Sequence, residues 1–209
     1  TQSLHYWVLL TERTPMKLLA LDTETTGLDT ASDDIIELGY ALYDPRFEAP
    51  IKVKSDFLVP KVPLKEEVVN VTGITQDIID TYGRQPDEVL LEFINFVEDH
   101  GVTHYVAHNG IDYDLPIMRA NFERVGLVFP ERPCIDTKTD LPLKYKPKST
   151  SLVYMAADHW FLNPFPHRAL TDAMTCMKIL NRYDLELVLA IAQTPVLEIR
   201  ADVRYEQRD

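Results

Sequence analysis

The sequence predicts an α/β fold: a mixed sheet, an antiparallel meander followed by parallel strands, flanked by helices. Three observations carry this. The apolar run Leu18–Leu21 is unbroken and reads as a strand buried on both faces. Two further runs rich in β-branched and aromatic residues, Ile35–Tyr43 and Ile51–Val59, follow at hairpin-like spacing, with Asp44-Pro45 and Pro60 as stops. The pattern then changes to helical spacing interrupted by short apolar runs.

Helices are expected over Leu64–Val71, ended by Thr72-Gly73, and over Asp87–Asp99, where Val89, Leu90, Phe93, Ile94 and Val97 share one face and Gly101 follows. Tyr105–His108 is a short strand and Tyr113–Val125 a helix closed by Gly126. Pro133–Thr137 is another short strand, and Lys138–Ser149 a Lys- and Pro-rich loop. Helices are expected over Ser151–Asp158, over Arg168–Tyr183, and from Asp184 to about Ala192. His159–Pro166 is a loop whose Trp160, Phe161 and Phe165 are expected to pin it to the core, the alternative being that they stack on bases. Tyr6–Leu10 could add a strand, and the alternation from Glu198 to Tyr205 reads as an edge strand with one wet face. This divides the chain into an N-terminal extension, residues 1–15, one domain, 16–192, and a tail, 193–209.

A chain of 209 residues fits one domain with a core of its own. No apolar run approaches the roughly 20 residues of a membrane span. The first ten residues lack a basic stretch, which argues against a secretory signal. Residue 1 is not Met, and Met16 is a candidate native start. The two cysteines, Cys134 and Cys176, have no metal-type spacing, so a reducing cytoplasm is the expected compartment. The net charge of −12 argues against passive coating of nucleic acid, but not against an enzyme that gathers acids at one site.

Chemistry concentrates in three stretches. In Leu21-Asp22-Thr23-Glu24-Thr25-Thr26-Gly27-Leu28, two acids lie two apart on a strand, so both carboxylates face one side. Like charges so placed call for a divalent cation, and hard cations take oxygen ligands. The second stretch, His108-Asn109-Gly110-Ile111-Asp112-Tyr113-Asp114, runs from a strand into a helix. In the third, His167-Arg168-Ala169-Leu170-Thr171-Asp172, a histidine stands at a helix entrance with an acid on its first turns. Singly, each has a plain structural explanation: a solvated turn, an acid matched to the helix dipole, a loop histidine.

Together they resemble the DEDDh family of 3′→5′ exonucleases, of ribonuclease-H-like fold. The resemblance runs from about Lys17 to Tyr183 and includes Val71-Thr72-Gly73-Ile74-Thr75. It implies Asp22, Glu24, Asp114 and Asp172 as ligands for two divalent ions, Mg²⁺ or Mn²⁺, with Asp22 bridging, and His167 as general base. Asp112 is a rival to Asp114; the pair Tyr113-Asp114 resembles the family's aromatic–Asp pair and favours Asp114. Two ions about 3.5–4 Å apart suit phosphodiester hydrolysis because they neutralise both attacking and leaving oxygens. The resemblance also implies that Thr25, Gly27 and Leu28 line the pocket for the 3′-terminal nucleotide. His108 and Asn109 adjoin that pocket as substrate contacts, or bind backbone near the motif. Lys138, Lys144, Lys146 and Lys148 form either a phosphate track or a solvated loop.

The expected function is metal-dependent removal of nucleoside 5′-monophosphates from the 3′ end of single-stranded DNA. The alternatives are a 3′→5′ exoribonuclease, and a proofreading or docking subunit of a DNA replication or recombination complex that holds a polymerase or recombination partner through its C-terminal strand.

Overall fold

The structure, a computed structural model, describes residues 16–193 of the chain. The strands expected at Tyr6–Leu10 and Glu198–Tyr205 lie outside them. In chain order the elements are β1 (Leu18–Thr25), β2 (Ile35–Tyr43), β3 (Lys52–Phe57), α1 (Glu66–Thr72), α2 (Gln76–Tyr82), α3 (Pro86–Asp99), β4 (His104–Ala107), α4 (Asp114–Arg124), β5 (Cys134–Asp136), α5 (Leu152–Asp158), α6 (Ala169–Leu180) and α7 (Leu185–Ala192).

The sheet order is β3-β2-β1-β4-β5. β1–β2 and β2–β3 pair antiparallel, whereas β1–β4 and β4–β5 pair parallel. The expected mixed sheet is therefore present, with β1 at its centre. A parallel pair needs a crossover, and helices supply it, so both faces of the sheet are covered.

The period of β1 decides what each side chain meets. Leu19 and Leu21 point into a core shared with Tyr40, Phe93, Met118 and Phe122, from β2, α3 and α4. Leu18 and Ala20 point the opposite way, into a core with Ala41, Cys176, Met177 and Ile179 under α6. All four are at most 1% exposed. Burying a leucine stabilises by roughly 1.5–3 kcal/mol, so this half of β1 anchors the acids beyond it. No described helix is long and apolar enough to cross a membrane. Cys134 and Cys176 are both free.

Several boundaries differ from expectation. β1 runs to Thr25, so Asp22 and Glu24 lie within the ladder rather than at its end, and the register shifts only between Glu24 and Thr25. β3 stops at Phe57, and Leu58, whose N–H still donates to Ile36 O of β2 at 3.0 Å, forms a parallel bridge with Arg84. α2 was not expected. Its only apolar pair near the core is Ile78-Ile79, too little for a helical period. Thr75 caps it by accepting from the Ile78 N–H, and Ile79 packs with Ile36 and Ile74. Of the three loop aromatics, only Phe161 packs on the core. Trp160 is 94% and Phe165 67% exposed, which corrects the expectation that all three pin the loop. Phe161 suffices because Lys178 also stacks on its ring, 4.6 Å from the centroid.

One close approach depends on glycine. Gly39 on β2 faces the start of α6, and a Cβ there would stand 2.1 Å from the Leu170 nitrogen. Gly39→Ala is therefore expected to push α6 off the sheet and lower stability by about 1–3 kcal/mol or more, read as a shifted urea midpoint at unchanged slope. A midpoint equal to that of the parent protein would show that α6 is not seated on Gly39.

Candidate active site

The same alternation that builds the core builds the site. Asp22 and Glu24 continue the Leu18–Ala20 face toward α6, and Thr23 continues the Leu19–Leu21 face toward α4. Each helix delivers one acid from its own side of the sheet.

Asp114 is the first residue of α4 and is 3% exposed. Its Oδ1 accepts from the Thr23 N–H at 2.9 Å and from Thr23 Oγ1 at 2.7 Å, which ties α4 to β1. The loop before it is shaped by Asp136 on β5, whose carboxylate accepts the backbone N–H groups of Asn109, Ile111 and Lys138. Asn109 adopts φ 68°, a left-handed conformation that asparagine tolerates. Asp112 is exposed and does not line the cleft.

Asp172 lies on the first turn of α6, 7% exposed. One of its oxygens accepts from the Asn163 amide and the other from the His167 N–H at 3.0 Å. His167 has φ 62°, and its exposed ring lines the cleft. An oxygen of Glu24, a ring nitrogen of His167 and an oxygen of Asp172 lie within 4.8 Å of one another, a grouping able to hold a cation. Asp22 and Asp114 line the same cleft, whose volume is about 460 Å³.

The carboxylates strain against one another. Burial pushes Glu24 up to about 8, and Asp172, Glu37 and Asp114 add to the rise, with Arg168 opposing it. Burial raises Asp114 to about 6 despite the two bonds from Thr23. Burial raises Asp22 well above the usual carboxylate range, and Asp114, Asp172 and Glu24 raise it further. Burial raises Asp172, partly offset by Asn163 and His167. At 4 Å and an effective dielectric near 20, two such charges repel by roughly 4 kcal/mol. Four oxygen donors crowded in this way fit hard divalent cations.

The rest of the cleft wall combines apolar Leu28, Val68 and Val71 with polar Thr25, Glu67, Thr72, His108 and Tyr113. Leu28 is 87% and Val71 57% exposed, on opposite stretches of chain. Tyr113 Oη donates to Gly27 O at 2.8 Å and lies 2.5 Å from Thr25 Oγ1, fixing the Thr25–Gly27 turn. His108 lines the cleft, but both its ring nitrogens are engaged, with Thr137 Oγ1 and Thr150 O. Asn109 is outside the cleft wall, and its side chain accepts from Lys138 Nζ at 2.8 Å. Lys144 lies over the Tyr145 ring, and none of the four loop lysines lines the cleft. Asn163, Asp136 and Glu37 were missed as contributors; Tyr113 was read only as the partner of Asp114 in an aromatic–Asp pair, and its hold on the Thr25–Gly27 turn was not foreseen.

A central strand bearing two acids is met by one acidic helix from each face, the arrangement of the ribonuclease-H-like fold. The Exonuclease family model (RNase_T) matches residues 19–180. The chain belongs to this exonuclease family. The "DNA polymerase III PolC-type" of Thermotoga maritima is 32% identical over 190 residues, covering 87% of this chain and 13% of that protein. The Bacillus cereus protein of the same name is 34% identical over 137 residues, covering 62% of this chain and 8% of that one. The chain thus spans only a small part of these relatives. In fold it resembles Escherichia coli exonuclease I in complex with a dA16 oligonucleotide, with TM-score 0.71, 15% identity, and coverage of 84% of this chain and 42% of that one. It also resembles the nuclease domain of 3′hExo, a DEDDh family member bound to rAMP, with TM-score 0.69, 18% identity, and coverage of 81% and 92%.

The raised carboxylates set a sign for pH. Between the ordinary carboxylate range and about 8 the folded, metal-free protein holds more protons here than the unfolded chain, so these groups cost stability as pH rises. A divalent cation must displace those protons. The rise in melting temperature on replacing EDTA with Mg²⁺ is therefore expected to be larger at pH 8 than at pH 6. An equal or smaller rise at pH 8 would contradict the arrangement.

Proposed function

We propose that the chain is a metal-dependent exonuclease that degrades single-stranded DNA from its 3′ end and releases nucleoside 5′-monophosphates. The observation that carries this reading is the convergence of Glu24, His167 and Asp172 within 4.8 Å, beside Asp22 and Asp114 in one cleft. Asp22, Glu24, Asp114 and Asp172 would hold two divalent ions, Mg²⁺ or Mn²⁺. Bound there, the ions supply positive charge to the attacking and leaving oxygens of the phosphodiester.

The remaining chemistry belongs to side chains. His167 takes the proton of the attacking water, the general-base role that histidine fills most often. Its left-handed backbone and the N–H bond to Asp172 keep base and ligand in one rigid unit. Leu28 and Val71 present apolar surface to the terminal base, and the turn held by Tyr113 presents Thr25 and Gly27 to the sugar. His108, tied to Thr137 and Thr150, borders the same pocket. Asn109 would act on the substrate only through Lys138.

The DNA reading is supported by the relatives named DNA polymerase III and by exonuclease I, whose structures include oligonucleotide complexes and a zinc-ion-bound form with single-stranded DNA. These relatives also favour a polymerase as partner. The 3′hExo domain bound to rAMP keeps an RNA substrate as the second reading.

With 5′-labelled DNA and RNA of matched sequence, a ladder shortening from the 3′ end of DNA is expected with Mg²⁺ or Mn²⁺ and none with EDTA. Cleavage of RNA alone would replace the substrate, and no cleavage of either would overturn the reading. His167→Ala is expected to lower kcat by roughly 10²–10⁴-fold, and Asp114→Asn to abolish cleavage while Asp112→Asn leaves it near that of the parent. The opposite result for the two aspartates would reassign the ligand.

A further inference from the structure

Glu37 is a buried acid to which the proposed chemistry assigns no role. It is 1% exposed and stands directly across from Glu24 in the β1–β2 ladder. An unpaired charge in such a place would be strongly unfavourable, yet both its oxygens are fully used. Oε1 accepts from Ser55 Oγ at 2.8 Å and from an Arg168 terminal nitrogen at 3.0 Å. Oε2 accepts from Arg168 Nε at 3.0 Å and from the Ala169 N–H at 3.1 Å. The pairing with Arg168 is two-pronged, the geometry that a planar guanidinium makes best.

The Ala169 bond is the informative one. Ala169 is the first residue of α6, and Arg168, in the capping position, makes no side-chain cap. Helix N-termini leave N–H groups without intrahelical partners. A local Ser, Thr or Asp usually satisfies one of them; here Glu37 does so from a neighbouring strand. The helix start is thus fixed to β2 at two adjacent points on one face: by Glu37, and by the contact that Gly39 permits with Leu170. Gly39 is in turn opposite Asp22 in the ladder. His167 immediately precedes this clamped segment and Asp172 lies two residues beyond it, and the same ladder carries Asp22 and Glu24.

We infer that Glu37 is a positioning residue, a cap supplied from β2 that, with Arg168, fixes His167 and Asp172 against Asp22 and Glu24 so that one cation can be held between the strand and the helix. Arg168 completes the clamp in a second way. Its guanidinium stacks over Phe57, 5.2 Å from the ring centroid, and lies close enough to Glu24 to oppose the crowding of the acids. The role does not require Glu37 to touch substrate. It rests on the exonuclease reading above.

The test uses the full chain with Glu37→Gln, Arg168→Met, Arg168→Lys and the double variant Glu37→Gln/Arg168→Met. Mn²⁺ binding is read from the electron paramagnetic resonance of the free ion, beside kcat and KM on labelled single-stranded DNA and the melting temperature. Glu37→Gln is expected to weaken Mn²⁺ binding and lower kcat, each by about tenfold or more, with KM within threefold, because the wall that meets the base is untouched. Arg168→Met leaves Glu37 buried and unpaired, so it should be less stable than the double variant, in which that charge is gone. Arg168→Lys, which keeps the charge but not the fork, should recover part of the loss of Arg168→Met. The inference is overturned if Glu37→Gln or Arg168→Lys, melting as the parent does, keeps Mn²⁺ affinity and kcat within twofold. It is also overturned if kcat falls only as far as the folded fraction falls, with the Mn²⁺ affinity of the folded protein unchanged. A parent protein that neither binds Mn²⁺ nor cleaves brings down the exonuclease reading itself, whereas an active parent with unaffected variants brings down the clamp alone.

Discussion

Mutual repulsion among Asp22, Glu24, Asp114 and Asp172 is the constraint on which the rest of this molecule depends. Four acids in one partly dry cleft oppose the folded state, and burial raises the pKa of each. Such a cluster persists only where surrounding structure over-determines it. The apolar half of β1 supplies that structure. Leu18–Leu21 are packed on both faces, so a slip by one residue would send each side chain to the other core and turn Asp22 and Glu24 to the face that Thr23 occupies. The same register then points Asp22 and Glu24 to one side and Thr23 to the other.

The two helices solve the approach problem differently. α4 comes from one face and is tied through Asp114 to Thr23, so its acid is held by β1 itself. α6 comes from the other face and cannot be tied by Asp172, whose oxygens face the cleft and its flanking loop. It is held by Glu37, Arg168 and the bare backbone of Gly39 instead. The charge that holds α6 is buried and neutralised directly across the ladder from Glu24, so Asp172 is not drawn into the tie to β2.

Much of this was legible in the sequence, for physical reasons that differ by residue. The shared face of Asp22 and Glu24 follows from the two-residue period of a strand, and their neighbourhood with Asp114 and Asp172 follows from the family pattern. The mixed sheet follows from the change of periodicity after Pro60. What was hidden is tertiary. Glu37 and Arg168 are 131 residues apart, and an acid within Ile35–Tyr43 reads equally well as a wet position on a half-exposed strand. The cap on α6 was hidden because no local residue makes it. α2 was hidden because its apolar residues are too few to show a period. Trp160 and Phe165 misled because aromatic character alone does not say whether a loop folds inward.

The most direct measurement is anomalous diffraction at the manganese edge from crystals grown with Mn²⁺ and a nucleoside 5′-monophosphate. Peaks are expected in the cleft within coordination distance of Asp22, Glu24 and Asp172, with Asp114 at a second, and with the His167 ring beside rather than in place of a carboxylate ligand. An ordered protein with the nucleotide bound and no manganese among these carboxylates would contradict the account.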